Sequence, residues 1–218
     1  MNYTLYWASH TCSLSPHIVL REAGFTFDLV RVDLREKKLA GGAELERAGS
    51  TPAPGIEWLA INPKGYVPAL RIPSGEILTE GAVMIQYLAD RAPEKNLAPA
   101  YGSMERFRLM EWLHFIATEL HKGMSPLYNP LAGDDFKKAL KEQRLVGRWT
   151  TLAEGIGDKP YLTGDFTIAD AYAFYVLRAW QFAQKESLER WPTLKAYYDR
   201  VAARPAVAAA LAAEGVAP

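Results

Sequence analysis

The chain changes its pattern once. Before residue 92, short runs of strand-forming residues alternate with short helical runs; after residue 103 only helical periodicity is left. Between them lie Pro93, Pro99 and Gly102, which break regular structure. The expectation is an α/β domain over 1–92, a linker over 93–103 and an all-helical domain over 104–218.

In the first part, Tyr3 to Trp7 reads as a strand, and residues 10–16 as a loop entering a helix. Ser15 is expected at the N-cap, Pro16 at the first helical position and Gly24 at the stop. Phe27 to Leu34 is a second strand, giving a β-α-β start. Residues 35–55 form a long connection, rich in Gly, Ala and Pro towards its end. A strand over 67–72 carries Pro68, which belongs at an edge or bulge. After a turn at 73–76 come a strand at 77–79 and a helix over 81–91, with Val83, Met84, Tyr87 and Leu88 at helical spacing. The second part shows helical runs at 104–123, 134–154, 167–183, 192–203 and 205–213.

Charge excludes one class of partner. Lys+Arg and Asp+Glu are both 25, so the basic surplus usual for nucleic-acid binding is missing. The single cysteine, Cys12, leaves no intrachain disulfide. No basic n-region with an apolar stretch opens the chain, and no apolar run approaches the roughly 20 residues that span a bilayer. The expectation is a soluble cytoplasmic protein with no membrane partner.

Cys12 follows a strand and stands at the mouth of a helix, where free N–H groups and the helix dipole favour a thiolate. The run CSLS at 12–15 resembles the C-x-x-C of thioredoxin-like proteins, with Ser15 in place of the second cysteine. A dithiol cycle within one chain is thereby excluded; a mixed disulfide with a small thiol is not. In such folds a cis proline opens the strand beside the active cysteine, and Val67-Pro68 fits that place. The Val67 backbone would then hold a peptide-like ligand in strand-like pairing. Glu80 and Gly81, opening a helix, match the two charges of an amino-acid head group. His114, Thr118 and His121 share a face at i, i+4, i+7, and His121 could steer a thiol proton or steady a thiolate. His-x6-His without Cys or carboxylate partners does not fit zinc. Thr167 and Asp170 have capping-box spacing, a folding signal. Trp7, Met124, Tyr128 and Trp180 are apolar candidates for a second-substrate pocket, although aromatic residues at helical spacing usually pack.

The stretches CSLSPH (12–17), LREAG (20–24), NPKGYVP (62–68), LTEG (78–81), QYLAD (86–90), ELHK (119–122) and FTIAD (166–170) together resemble beta-class bacterial glutathione S-transferases. The resemblance covers nearly the whole chain, in the family's order. It implies a thioredoxin-like N-terminal domain, an all-helical second domain, a homodimer, and conjugation of glutathione to small hydrophobic electrophiles. Glutathione would be the cosubstrate, with no other cofactor. Cys12 would lie against the glutathione sulfur and could form a mixed disulfide with it. Val67, beside Pro68, would pair with the cysteinyl part, and Glu80 and Gly81 would hold the γ-glutamyl head. Lys37 would approach a carboxylate, and His121 and Lys122 would close the site.

The chain departs from the family with His114 for asparagine, Trp7 for tyrosine, and a longer connection at 35–55, whose residues 41–52 are expected to form a flap. Two other functions stay open. One is thiol–disulfide exchange or peroxide reduction through Cys12. The other is a non-catalytic binding module, against which the set Cys12, Val67, Glu80 and His121 argues.

Overall fold

The computed structural model describes residues 2–39 and 57–216. The expected flap at 41–52 lies outside them. The chain forms two compact units: residues 1–95 with 205–218, and residues 96–204.

The first unit is built on a five-stranded sheet. Its elements are β1 (Tyr3–Trp7), α1 (Leu14–Glu22), β2 (Phe27–Asp33), β3 (Lys38–Leu39), the short α2 (Trp58–Ile61), β4 (Ala69–Arg71), β5 (Ile77–Thr79) and α3 (Gly81–Asp90). The strand order is β3-β2-β1-β4-β5. β1 runs parallel to β2, with Leu5 opposite Leu29, and antiparallel to β4, with Leu5 opposite Leu70. Alternation then divides the apolar residues between two faces. Tyr6, Ala8, Val30, Val32 and Ala69 gather around Trp58 and Val67 on one. Leu5 and Leu70 take the other. α1 packs on α3, burying Ile18, Leu20, Met84, Ile85 and Leu88.

The expected strands hold, but their neighbours shift. α1 starts at Leu14, not at Pro16. Ser13 takes the cap position because its hydroxyl is bound inside the preceding turn, donating to the Ala8 carbonyl at 3.1 Å and accepting from the Ala8 N–H at 3.3 Å. Pro16 still falls in the first turn, where helix N–H groups have no intrahelical partner. Gly24 ends the helix with φ +74°, the left-handed conformation that lets Phe25 N–H reach the Leu20 carbonyl. β4 is shorter than expected and is preceded by a cis Val67-Pro68 bond. On α3, Val83 is exposed, and the buried stripe is Met84, Ile85, Leu88 and Ala89.

The second unit is helical: α4 (Met104–Phe115), α5 (Asp134–Ala139), α6 (Val146–Ile156), α7 (Ile168–Arg178) and α8 (Pro192–Ala202). Three of the long periodic runs pass through π turns, at Ile116–His121, Leu140–Leu145 and Ala179–Ala183. α7 is buried along its whole length. Asp170 fastens its start, accepting from Thr167 N–H at 2.7 Å, Leu162 N–H at 2.9 Å and the Tyr197 hydroxyl at 2.7 Å.

The helical part was expected to run on to residue 218. The last helix, α9 (Pro205–Ala213), instead packs on α1 and buries Val207, Ala210 and Leu211. Residues 205–218 therefore belong to the first unit.

Candidate functional site

Cys12 stands two residues ahead of α1 and is partly exposed. Its Sγ lies 3.5 Å from the Val67 carbonyl oxygen. The loop is tied from within: Thr11 donates to the Ala8 carbonyl at 2.8 Å, and the Ser15 hydroxyl donates to the Cys12 carbonyl at 3.0 Å. Ser15, fully buried, fills the place of a second cysteine with a group that holds the loop. Val67 N–H has no hydrogen-bond partner among the described residues. The segment before it is fixed by Asn62, whose side-chain amide donates to the Tyr66 carbonyl at 2.7 Å.

Gly81 closes the group. A Cβ built on it would lie 3.9 Å from the Pro68 ring and 4.0 Å from Ser15 Oγ, so the start of α3, the proline and the Cys12 helix meet at one place. Lys37 reaches the Gly65 carbonyl at 2.9 Å. Glu80, in the cap position of α3, holds Lys64 Nζ at 2.8 Å. His10, Lys37 and Glu80 all have positive φ (60°, 56° and 68°). Such residues are uncommon outside glycine, and Asn96 and Lys185 in the second unit share the conformation.

A chain of polar groups runs from the half-buried Arg21 through the buried His17 to the buried Glu214. Arg21 Nε donates to His17 Nε2 at 2.9 Å, and His17 Nδ1 meets Glu214 Oε1 at 2.9 Å. Because arginine only donates, Nε2 is the acceptor and Nδ1 carries the hydrogen. Burial, with the Arg21 charge beside it, pushes His17 down to about 3, so the ring is neutral near pH 7.

In the second unit, His121 Nδ1 lies 2.8 Å from the Tyr172 hydroxyl. Burial, then the neighbouring Lys122 charge, lowers it to about 4. Lys122 is exposed. Glu119 accepts from Arg148 at 2.7 Å.

Residues 11–91 match the family model of the glutathione S-transferase N-terminal domain, and residues 119–214 that of its C-terminal domain. The chain is 42% identical over 213 residues to glutathione S-transferase GstA of Escherichia coli O157:H7, covering 97% of this chain and 98% of that protein. The chain belongs to the glutathione S-transferase family. Its solved neighbours include a sphingomonad glutathione S-transferase complexed with glutathione, 37% identical with a TM-score of 0.86. They also include the bacterial beta-class glutathione S-transferase of Sphingomonas chungbukensis, 38% identical with a TM-score of 0.85. Each match covers 98% of this chain and 100% of the other.

Within this transferase fold the expected residues divide. Cys12, Val67, Pro68 and Gly81 converge, with Glu80 beside Gly81. Of the expected His114–Thr118–His121 face, Thr118 keeps its place one turn after His114, its hydroxyl donating to the His114 carbonyl at 2.9 Å, and the π turn at Ile116–His121 separates His114 from His121. His114 is exposed and bonds the Met110 carbonyl at 2.8 Å. Of the expected electrophile pocket, Trp180 packs on Trp149 with ring planes tilted by 51° and centroids 5.3 Å apart, and Met124 is 1% exposed. Both are core residues of the second unit. Trp180 also edges a cleft of about 610 Å³ lined by Lys137, Lys141, Glu186 and Arg190, but Met124 and Tyr128 do not reach it. Tyr128 is exposed, and Trp7 is buried in the first unit. Sequence reasoning missed Tyr172, Lys64 and the Arg21–His17–Glu214 chain. The i, i+4 spacing of His17 and Arg21 was readable; Glu214 carried no local signal.

Proposed function

We propose that this protein is a glutathione transferase that seats the tripeptide along Val67 and conjugates its thiol to small hydrophobic electrophiles. One observation carries the reading: Cys12 Sγ stands 3.5 Å from the Val67 carbonyl, next to a Val67 N–H that the described residues leave unbonded. A cysteinyl residue laid antiparallel to Val67 would use both backbone groups and bring its sulfur towards Cys12 and the positive end of α1. Glu80 takes the ammonium of the γ-glutamyl head, the N–H groups opening α3 at Gly81 take its carboxylate, and Lys37 takes the second carboxylate. His121 and Lys122 complete the sulfur end on the strength of the resemblance.

The thiol gives up its proton to solvent water and the thiolate attacks an electrophilic carbon. A C–S bond forms as the leaving group departs with its electron pair. Electrophile, homodimeric assembly and cytoplasmic location are parts of the same reading. Calorimetric titration of reduced protein with glutathione should give a saturable heat, and an aryl halide should be conjugated. No heat at millimolar glutathione would remove the proposal.

A further inference from the structure

His121 meets its neighbours in a fixed geometry. Its Nδ1 is 2.8 Å from the Tyr172 hydroxyl. The rings of Tyr172 and Tyr175 stand nearly perpendicular to it, with centroids 5.8 and 5.2 Å away. Both tyrosines belong to α7, buried throughout, so the phenol is held by a packed helix. The ring, lowered to about 4, is neutral near pH 7 and carries one N–H, whose position the Nδ1 contact decides. The phenol O–H, titrating ordinarily near about 10, is more acidic than an imidazole N–H. The ring's lone-pair nitrogen is a better acceptor than a phenol oxygen.

We infer that Tyr172 is a positioning residue, donating its hydroxyl hydrogen to Nδ1 of His121 and so fixing the ring hydrogen on Nε2. His121 then presents its ligand with a hydrogen-bond donor and no proton-accepting nitrogen. Towards a thiolate it is a stabilising contact; it does not take the thiol proton. That last step rests on the proposed placing of His121 at the glutathione sulfur, whereas the tautomer does not.

The test is a two-bond ¹H–¹⁵N correlation spectrum of histidine-labelled protein at pH 7. The His121 signal is assigned among the four histidines by its loss in His121→Gln. The expected result is the Nε2–H tautomer in the wild type, a mixture in Tyr172→Phe, and no change in Tyr175→Phe. Tyr172→Phe should also lower turnover about two- to tenfold, the worth of one hydrogen bond. His121→Gln keeps an N–H donor and should retain more conjugation than His121→Ala. A wild-type Nδ1–H tautomer, or one indifferent to Tyr172→Phe, overturns the inference. An Nε2–H tautomer with wild-type turnover in His121→Ala supports the inference and removes His121 from the glutathione site instead.

Discussion

Glu80 carries its carboxylate on a backbone held at φ 68°, and Lys64 sits on that carboxylate at 2.8 Å. In the proposed complex the ligand's ammonium wants the same oxygens, so Lys64 competes with it. Glu80→Gln should weaken glutathione binding about tenfold or more, since a hydrogen bond to a charged group is lost. Lys64→Met should tighten it, by no more than about fivefold because the pair is exposed. Calorimetry reads both, and equal shifts in the same direction would refute the competition. Cys12 invites a second prediction. Cys12→Ala should keep aryl-halide conjugation within about tenfold, because the helix end and Val67 remain, yet abolish any glutathione adduct seen by intact mass. Conjugation that disappears with the thiol would show that the reaction requires Cys12. These residues were legible in the sequence because their signals are short: a cysteine at a helix mouth, a proline opening a strand, a glutamate before a helix. The burial of Met124 and Trp180 was not legible, because helical spacing marks an apolar residue without saying whether core or cleft receives it.

At the scale of the element, α1 is held from behind by a histidine that is neutral in the folded protein. His17 is depressed to about 3 by burial and by Arg21, against about 6.5 in an unfolded chain. Below about pH 6.5 the unfolded state binds a proton that the folded state refuses, so stability is fully present above that pH. It is lost as pH falls towards 3, at up to about 1.4 kcal/mol per pH unit. His121, depressed to about 4, adds a loss of the same sign over a narrower window. His17→Asn keeps a donor towards Glu214 without the titration. It should flatten the difference between urea midpoints at pH 5 and pH 7, and an unchanged difference would rule His17 out as its source. The helices themselves were readable from period and caps, the Thr167–Asp170 start of α7 most clearly. The three π turns were not, because one extra residue per turn leaves composition and average spacing almost untouched while turning every later side chain to a new face.

For the whole molecule, chain order and compact unit disagree, and the disagreement has consequences. The chain leaves the first unit after residue 95, builds the second, and returns at residue 205. A reading along the sequence sees a helical half without interruption, since nothing local distinguishes the Ala-rich α9 from the helices before it. The structure makes α9 part of the sheet-bearing unit, through Val207, Ala210 and Leu211 against α1 and through Glu214 on His17. Deleting residues 205–218 removes a buried apolar face and leaves the fully buried His17 N–H without its acceptor. Leaving a neutral buried N–H unsatisfied costs about 1–3 kcal/mol, and each large apolar side chain adds about 1.5–3 kcal/mol. Set against a total stability of about 5–15 kcal/mol, the deletion should unfold the first unit or leave it marginal. Glutathione binding should vanish with it, although the deleted segment holds none of the proposed ligand contacts. Hydrogen exchange read by mass spectrometry would show protection lost in β1, α1 and β2. Glu214→Gln, which keeps an oxygen acceptor for His17, should lose far less. Retained glutathione binding and protected strands in the truncated protein would show that α9 covers α1 without supporting it.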